Sequence, residues 1–223
     1  VVTTGWDDVL KEAKDAGIPV VLEDRTIDGS RDLYKAWIGD DFKKEGETAG
    51  AWAATNLGSK ATNMVVLEGT TGSAPAIDRA TGFDDAIKGT QIKTLDSQTG
   101  NFTRADGKTV MEGFLQKYGK TINLLFAQND DMGLGALDAI KAAGLTPGKD
   151  ILIITIDATH DGLQAAANGE FNYVVECNPL LGPTVADTVK AILAGKDVPK
   201  AQTATDASFT PEQAKAALPD RKY

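Results

Sequence analysis

The chain has 223 residues, 42% of them hydrophobic and 25% charged, enough to bury a core in one large domain or two modest lobes. With 23 Lys and Arg against 32 Asp and Glu, the net charge is −9, and no basic cluster interrupts it. That argues against nucleic acid or an anionic membrane surface as partner. The lone Cys177 excludes an intramolecular disulfide and a cysteine-built zinc site, and no apolar run reaches the roughly 20 residues a membrane span requires.

The opening VVTTGWDDVLKEAKDAG (1–17) reads as a helix entered just after a strand, with Thr3 or Thr4 as its cap. A doubly wound sheet rarely opens this way, so strands upstream of residue 1 are expected. IPVVLED (18–24) is the first β-rich run, and a weaker one follows at 33–39. NMVVLEG (63–69), QIKTLDS (91–97), INLLFAQ (122–128), DILIITID (150–157) and FNYVVEC (171–177) continue the series. Most are continuously apolar, as strands covered on both faces are. Between them lie amphipathic segments at 74–89, 104–119, 131–144, 161–170 and 182–195, several closing on Gly. The alternation predicts an α/β fold with a parallel sheet and right-handed crossovers.

In open parallel sheets, ligands bind beyond the carboxyl ends of the strands. Here those ends carry Asp24 and Arg25, the loop Gly69–Ser73, Asn129-Asp130-Asp131, Asp157, and Glu176 followed by Asn178. Carboxylates, carboxamides and guanidinium groups suit a neutral polyhydroxyl ligand, whose hydroxyls both donate and accept. Arg25 and Arg79 are the cations available to offset the acids, and Phe102 offers an apolar face for a small ring. Asp130 and Asp131 are read as caps of the helix that follows. Trp6, Trp37 and Trp52 are read as packing residues. Catalytic signals are poor: His160, the only histidine, stands at a helix start with no nucleophile motif around it. GLGAL (133–137) lacks a dinucleotide fingerprint, and neither a Walker loop nor a calcium loop occurs. No enzyme, cofactor or metal site is therefore expected.

DR at 24–25, AIDRATGF at 76–83, NFTR at 101–104, AQNDDMGLGALDAIKAAG at 127–144, TIDA at 155–158 and VVECNP at 174–179 together resemble the sugar-binding proteins of bacterial ABC importers. Among these the chain is most similar to the galactofuranose-binding branch, close to the ribose- and arabinose-binding proteins. The resemblance implies Asp24, Arg25, Arg79, Phe102, Asn129, Asp157 and Glu176 as sugar contacts, with Asn129 as the ligand-facing amide. It implies two α/β lobes joined by three crossings. Residues 1–40 with 179–199 would form an incomplete N-terminal lobe, and 41–178 with 200–223 a complete C-terminal lobe. The family carries further βα units at the front, so a preceding segment or a second chain would complete the smaller lobe. The implied function is capture of a neutral monosaccharide, galactofuranose- or arabinofuranose-like, for a membrane permease. The implied location is the periplasm, with the export signal outside this chain. The effector domain of a sugar-responsive repressor is the alternative that shares this fold, and an enzyme acting on a nucleotide or sugar phosphate is a third reading.

Overall fold

The structure is a computed structural model and describes residues 2–223. In chain order the first elements are α1 (Asp7–Asp15), β1 (Val21–Glu23), β2 (Ala36–Gly39), α2 (Phe42–Leu57), β3 (Thr62–Glu68) and α3 (Ala74–Ile87). Then come β4 (Ile92–Thr99), α4 (Arg104–Tyr118), β5 (Leu124–Ala127), α5 (Asp130–Ala142), β6 (Leu152–Asp157) and α6 (His160–Ala167). The chain closes with β7 (Tyr173–Glu176), α7 (Gly182–Leu193), β8 (Ala201–Thr203), β9 (Ser208–Phe209) and α8 (Pro211–Ala217).

The larger sheet has the order β4-β3-β5-β6-β7-β9, parallel except for β9 at its edge. Its apolar runs alternate between two cores because successive side chains leave a strand on opposite faces. Val65, Leu67, Leu125 and Ala127 pack with Met111, Phe114, Met132 and Ile140 on one face. Met64, Val66, Leu124 and Phe126 pack with Ala49, Ala53 and Phe83 on the other. Phe83 and Phe126 stack there with ring centroids 4.1 Å apart. Burial on both faces explains why these strands read as unbroken apolar runs.

The smaller sheet, β1-β2-β8, is parallel throughout. Ala36, Ile38 and Leu181 form its core, with Val21, Val185 and Val198 packed against them. The resemblance implies that the final segment of the larger lobe starts at residue 200. Instead, Trp37, Ile38 and Gly39 pair with Ala201, Gln202 and Thr203, so β8 belongs with β2, and the chain returns to the larger sheet only after it. Three passages therefore link the two sheets: residues 40–41, 177–181 and 204–207.

The first helix is not capped by a threonine. Thr3 is buried and donates its hydroxyl to Asp28 Oδ2 at 2.6 Å, while Trp6 occupies the cap position without a side-chain bond. Among the described residues no helix is long and apolar enough to cross a membrane.

Candidate functional site

The carboxyl ends of β1, β2, β3, β5, β6 and β7 open on a cleft of about 520 Å³, a size suited to a small ligand. Asp24, Arg25, Arg79, Phe102, Asn129 and Asp157 all line it, with Asp40, Phe42, Thr159, Cys177, Pro179 and Tyr223 among the other walls. Six of the seven residues that the resemblance implies thus line one cavity. Glu176 is the exception.

Arg79 forms the floor. It sits early in α3, buried at 3% exposure, and every arm of its guanidinium is engaged. Nε donates to Glu45 Oε2 at 2.6 Å, Nη1 donates to the carbonyl of Gln128 at 2.6 Å, and Nη2 lies 3.5 Å from Asp157 Oδ1. Glu45 reaches this position because α2 and α3 meet at Gly46, where any β-carbon would overlap the Arg79 carbonyl. Burial opposes the charge on Arg79, but the ion pair and hydrogen bond with Glu45 outweigh it and hold the guanidinium firmly protonated. Burial also pushes the Glu45 carboxyl upward against the opposing pull of Arg79.

Asp157, at the end of β6, keeps 28% of its side chain exposed to the cleft. Burial pushes its pKa up to about 8, with Arg79 pulling the other way. At neutral pH it is therefore largely protonated, and it can donate a hydrogen bond as well as accept one. Asp24 is also raised by burial, with Arg25 and Arg79 opposing; its Oδ2 lies 3.6 Å from Arg25 Nε.

Phe102 lies in the turn between β4 and α4. Its ring packs so closely on Gly69 that a β-carbon there would overlap it. The Arg25 and Arg79 guanidinium carbons lie 5.7 and 5.9 Å from its centroid, within cation–π range. Asp24 (φ 62°), Phe102 (φ 63°) and Asp157 (φ 126°) are three of five non-glycine residues with positive φ among the described residues. The other two, Asn101 and Ala158, are their immediate neighbours. Each such conformation costs on the order of 1–3 kcal/mol and persists only where the surroundings enforce it. The strain is concentrated at the cleft.

The helix-capping expectation is corrected. Asn129, not Asp130 or Asp131, is the cap of α5: its Oδ1 accepts from Met132 N at 3.0 Å, and its Nδ2 donates to the Phe102 carbonyl at 3.3 Å. One cap position precedes the first helical residue, and Asn129 has the extended backbone that position requires. Asp130 is fully buried and accepts from Thr155 Oγ1, Thr159 N and Thr159 Oγ1 at 2.6–2.9 Å, tying α5 to β6 and α6. Asp131 points outward to Arg104 at 3.0 Å.

Glu176 does not line the cleft. Its Oε1 accepts from Arg221 Nη1 at 2.6 Å and from the Tyr223 hydroxyl at 2.5 Å, and its Oε2 accepts from Ala207 N at 2.8 Å. Burial alone would raise its pKa; the Tyr223, Ala207 and Arg221 bonds outweigh this and hold it below the usual value. Its partners all come from the last segment of the chain, which no local pattern around VVECNP announces.

Beside the cleft, the three passages meet at one backbone amide. The Asn178 N–H is shared by Asp40 Oδ1 at 3.2 Å and Asp206 Oδ1 at 3.0 Å, so each passage contributes one group. Burial raises both carboxyls, Asp206 to about 8 with Asp40 adding to the rise. Cys177 is raised well above its usual range by burial and stays a neutral thiol. Asp40, Glu45 and Cys177 place their donor atoms within 4.8 Å of one another. However, Glu45 is already held by Arg79, and burial favours protonation of all three. Asp40 lay within reach of sequence reasoning, because it follows β2 just as Asp24 follows β1.

Residues 1–197 match the periplasmic binding protein domain family. The chain is 44% identical over 227 residues to the galactofuranose-binding protein YtfQ of Escherichia coli (strain K12), an alignment covering 100% of this chain and 71% of that protein. A Mycobacterium smegmatis protein solved in complex with β-D-fucofuranose is 56% identical, with a TM-score of 0.93 over 98% of this chain and 73% of the other. The binding component of the arabinose ABC transporter from Shewanella sp. ANA-3, bound to α- and β-L-arabinofuranose, is 45% identical. Its TM-score is 0.94, over 99% of this chain and 74% of that one.

Proposed function

Because this chain belongs to the periplasmic binding protein family, a family of solute binders rather than enzymes, we propose that it captures a neutral monosaccharide in furanose form. Galactofuranose and arabinofuranose are the leading candidates. In this reading the sugar is held in the cleft between the two sheets and passed unaltered, in the periplasm, to the permease of an ABC importer. The observation that carries it is the composition of the cleft: Asp24, Asp40 and Asp157 set against Arg25 and Arg79 beside the flat face of Phe102. A hydroxyl-rich ligand can use every one of these groups. A phosphate or carboxylate would instead have to compete with Glu45 and the Gln128 carbonyl for Arg79 and with Asp24 for Arg25, and would lose hydration without compensation.

Asp157, Asn129 and the two arginines supply donors, and Asp24 supplies an acceptor. The furanose preference rests on the relatives, among which bound or named furanoses recur. The neutrality rests on the charges. The test is calorimetric titration of the full-length protein with galactose, arabinose, ribose and their phosphates, the sugar being followed by NMR. The expected result is binding of a parent sugar, a much weaker phosphate and no turnover. Tighter binding of a sugar phosphate, or any chemical change in the sugar, would defeat the reading.

A further inference from the structure

We propose that Tyr223 is a specificity-determining residue of the cleft, whose phenol oxygen accepts a hydrogen bond from one hydroxyl of the bound sugar. Glu176 and Arg221 act as the positioning residues that aim it. The proposal rests on the monosaccharide reading above and adds a contact that the strand-end rule does not supply.

Tyr223 lines the same cleft as Arg79 and Asp157, beside Phe42, Cys177, Pro179 and Leu181. It is fixed at three points. Its main-chain oxygen accepts from His160 N at 2.6 Å, its ring lies 4.0 Å from the Arg221 guanidinium carbon, and its hydroxyl is 2.5 Å from Glu176 Oε1. Arg221 is itself anchored by donating Nε to the Ala158 carbonyl at 2.5 Å and Nη1 to Glu176 at 2.6 Å. Ala158 directly follows the cleft residue Asp157, so the anchor and the site share one strained turn.

The direction of each hydrogen bond decides what Tyr223 can recognise. Glu176 receives three donors, from Arg221, Ala207 N–H and Tyr223, so it is ionised and can only accept. The single phenol proton is therefore committed to Glu176. What the Tyr223 oxygen has left to offer a ligand is lone pairs. It will recognise a hydroxyl donor and gain nothing from an ether or carbonyl oxygen at the same place. A charge-assisted bond to Glu176 also makes the phenol oxygen a better acceptor. The sequence-level assignment of Glu176 to the sugar is thus replaced by an indirect role through Tyr223.

The test uses the full-length protein and whichever of galactose and arabinose binds more tightly, together with its monodeoxy analogues. Tyr223→Phe keeps the ring and removes the oxygen, and its fold is checked by its thermal transition. The expected result is a roughly three- to tenfold loss of affinity for the parent sugar, the range for one neutral hydrogen bond. One deoxy analogue should lose a similar factor against the unsubstituted protein and lose nothing more with Tyr223→Phe. Glu176→Gln should weaken binding in the unsubstituted background and have no further effect on top of Tyr223→Phe, which a merely structural role would not produce. Unchanged affinity of Tyr223→Phe for the parent sugar and all its deoxy analogues would overturn the assignment alone. Absence of any sugar binding by the unsubstituted protein would overturn the monosaccharide reading, and this assignment with it.

Discussion

Arg79 shows how one side chain can organise a whole site. Its three arms hold Glu45 from α2, the backbone after β5 and Asp157 from β6, so three elements converge on one planar group. A lysine has a single charged point on a flexible stem and cannot make these bonds at once. Arg79→Lys should weaken sugar binding by roughly 2 kcal/mol or more and lower the melting temperature, because a buried carboxylate and a carbonyl lose their donors. Calorimetry on the full-length protein checks this, and undiminished affinity would remove Arg79 from the site. At this scale the sequence was legible wherever a cleft-lining group stands at or just beyond the end of a strand, as at Asp24, Asn129 and Asp157. It was silent where a contact is long-range. Nothing near residue 176 reveals that its partners are Ala207, Arg221 and Tyr223.

At the scale of elements, the turn joining β4 to α4 positions the one aromatic ring that was singled out as a sugar platform. Phe102 rests on Gly69 at the end of the neighbouring strand β3, and Gln128 holds the same place by accepting from Gly69 N at 2.7 Å. Gly69→Ala would drive a methyl group into the Phe102 ring. The expected outcome is loss of measurable sugar binding and a destabilisation of about 1–3 kcal/mol, the usual cost of overpacking. A denaturation midpoint and sugar affinity both equal to those of the unsubstituted protein would refute the packing argument. The apolar strands and the helices between them were legible from periodicity. Helix α2 was less so, because its packing face is built from Gly46, Ala49, Gly50 and Ala53, which carry little hydrophobic contrast. Helix α8 was not among the predicted segments, although Thr210 and Gln213 form a capping box around Pro211. Strand β9, at two residues long, carries no such signal.

For the molecule as a whole, the junction between the sheets is a cluster of acids held at low charge. Asp206 and Asp157 have folded pKa values near 8, raised first of all by burial from an ordinary 3.8. The folded chain therefore keeps protons that the unfolded chain has already released. Their contribution to stability is full below about pH 4, declines as pH rises, and is lost above about pH 8. Asp206 faces Asp40, Glu45 and the Asn178 amide, so a neutral amide there should relieve the repulsion that appears at high pH. The melting temperature of Asp206→Asn, relative to the unsubstituted protein, should rise between pH 5 and pH 8.5. A difference that stays constant over that range would show that Asp206 does not titrate there.

The pairing of β2 with β8 also dictates an order of assembly. One edge of β2 is satisfied only by Ala201–Thr203, residues made after every parallel strand of the larger sheet. While the chain is being synthesised, β3 through β7 can find their neighbours, but Ala36 and Ile38 have no finished layer to close against until Leu181 and β8 arrive. Such distant pairing slows folding. The smaller sheet therefore waits on a late segment of the chain, and a slow refolding phase should carry the burial of Trp37, the indole at the centre of that sheet.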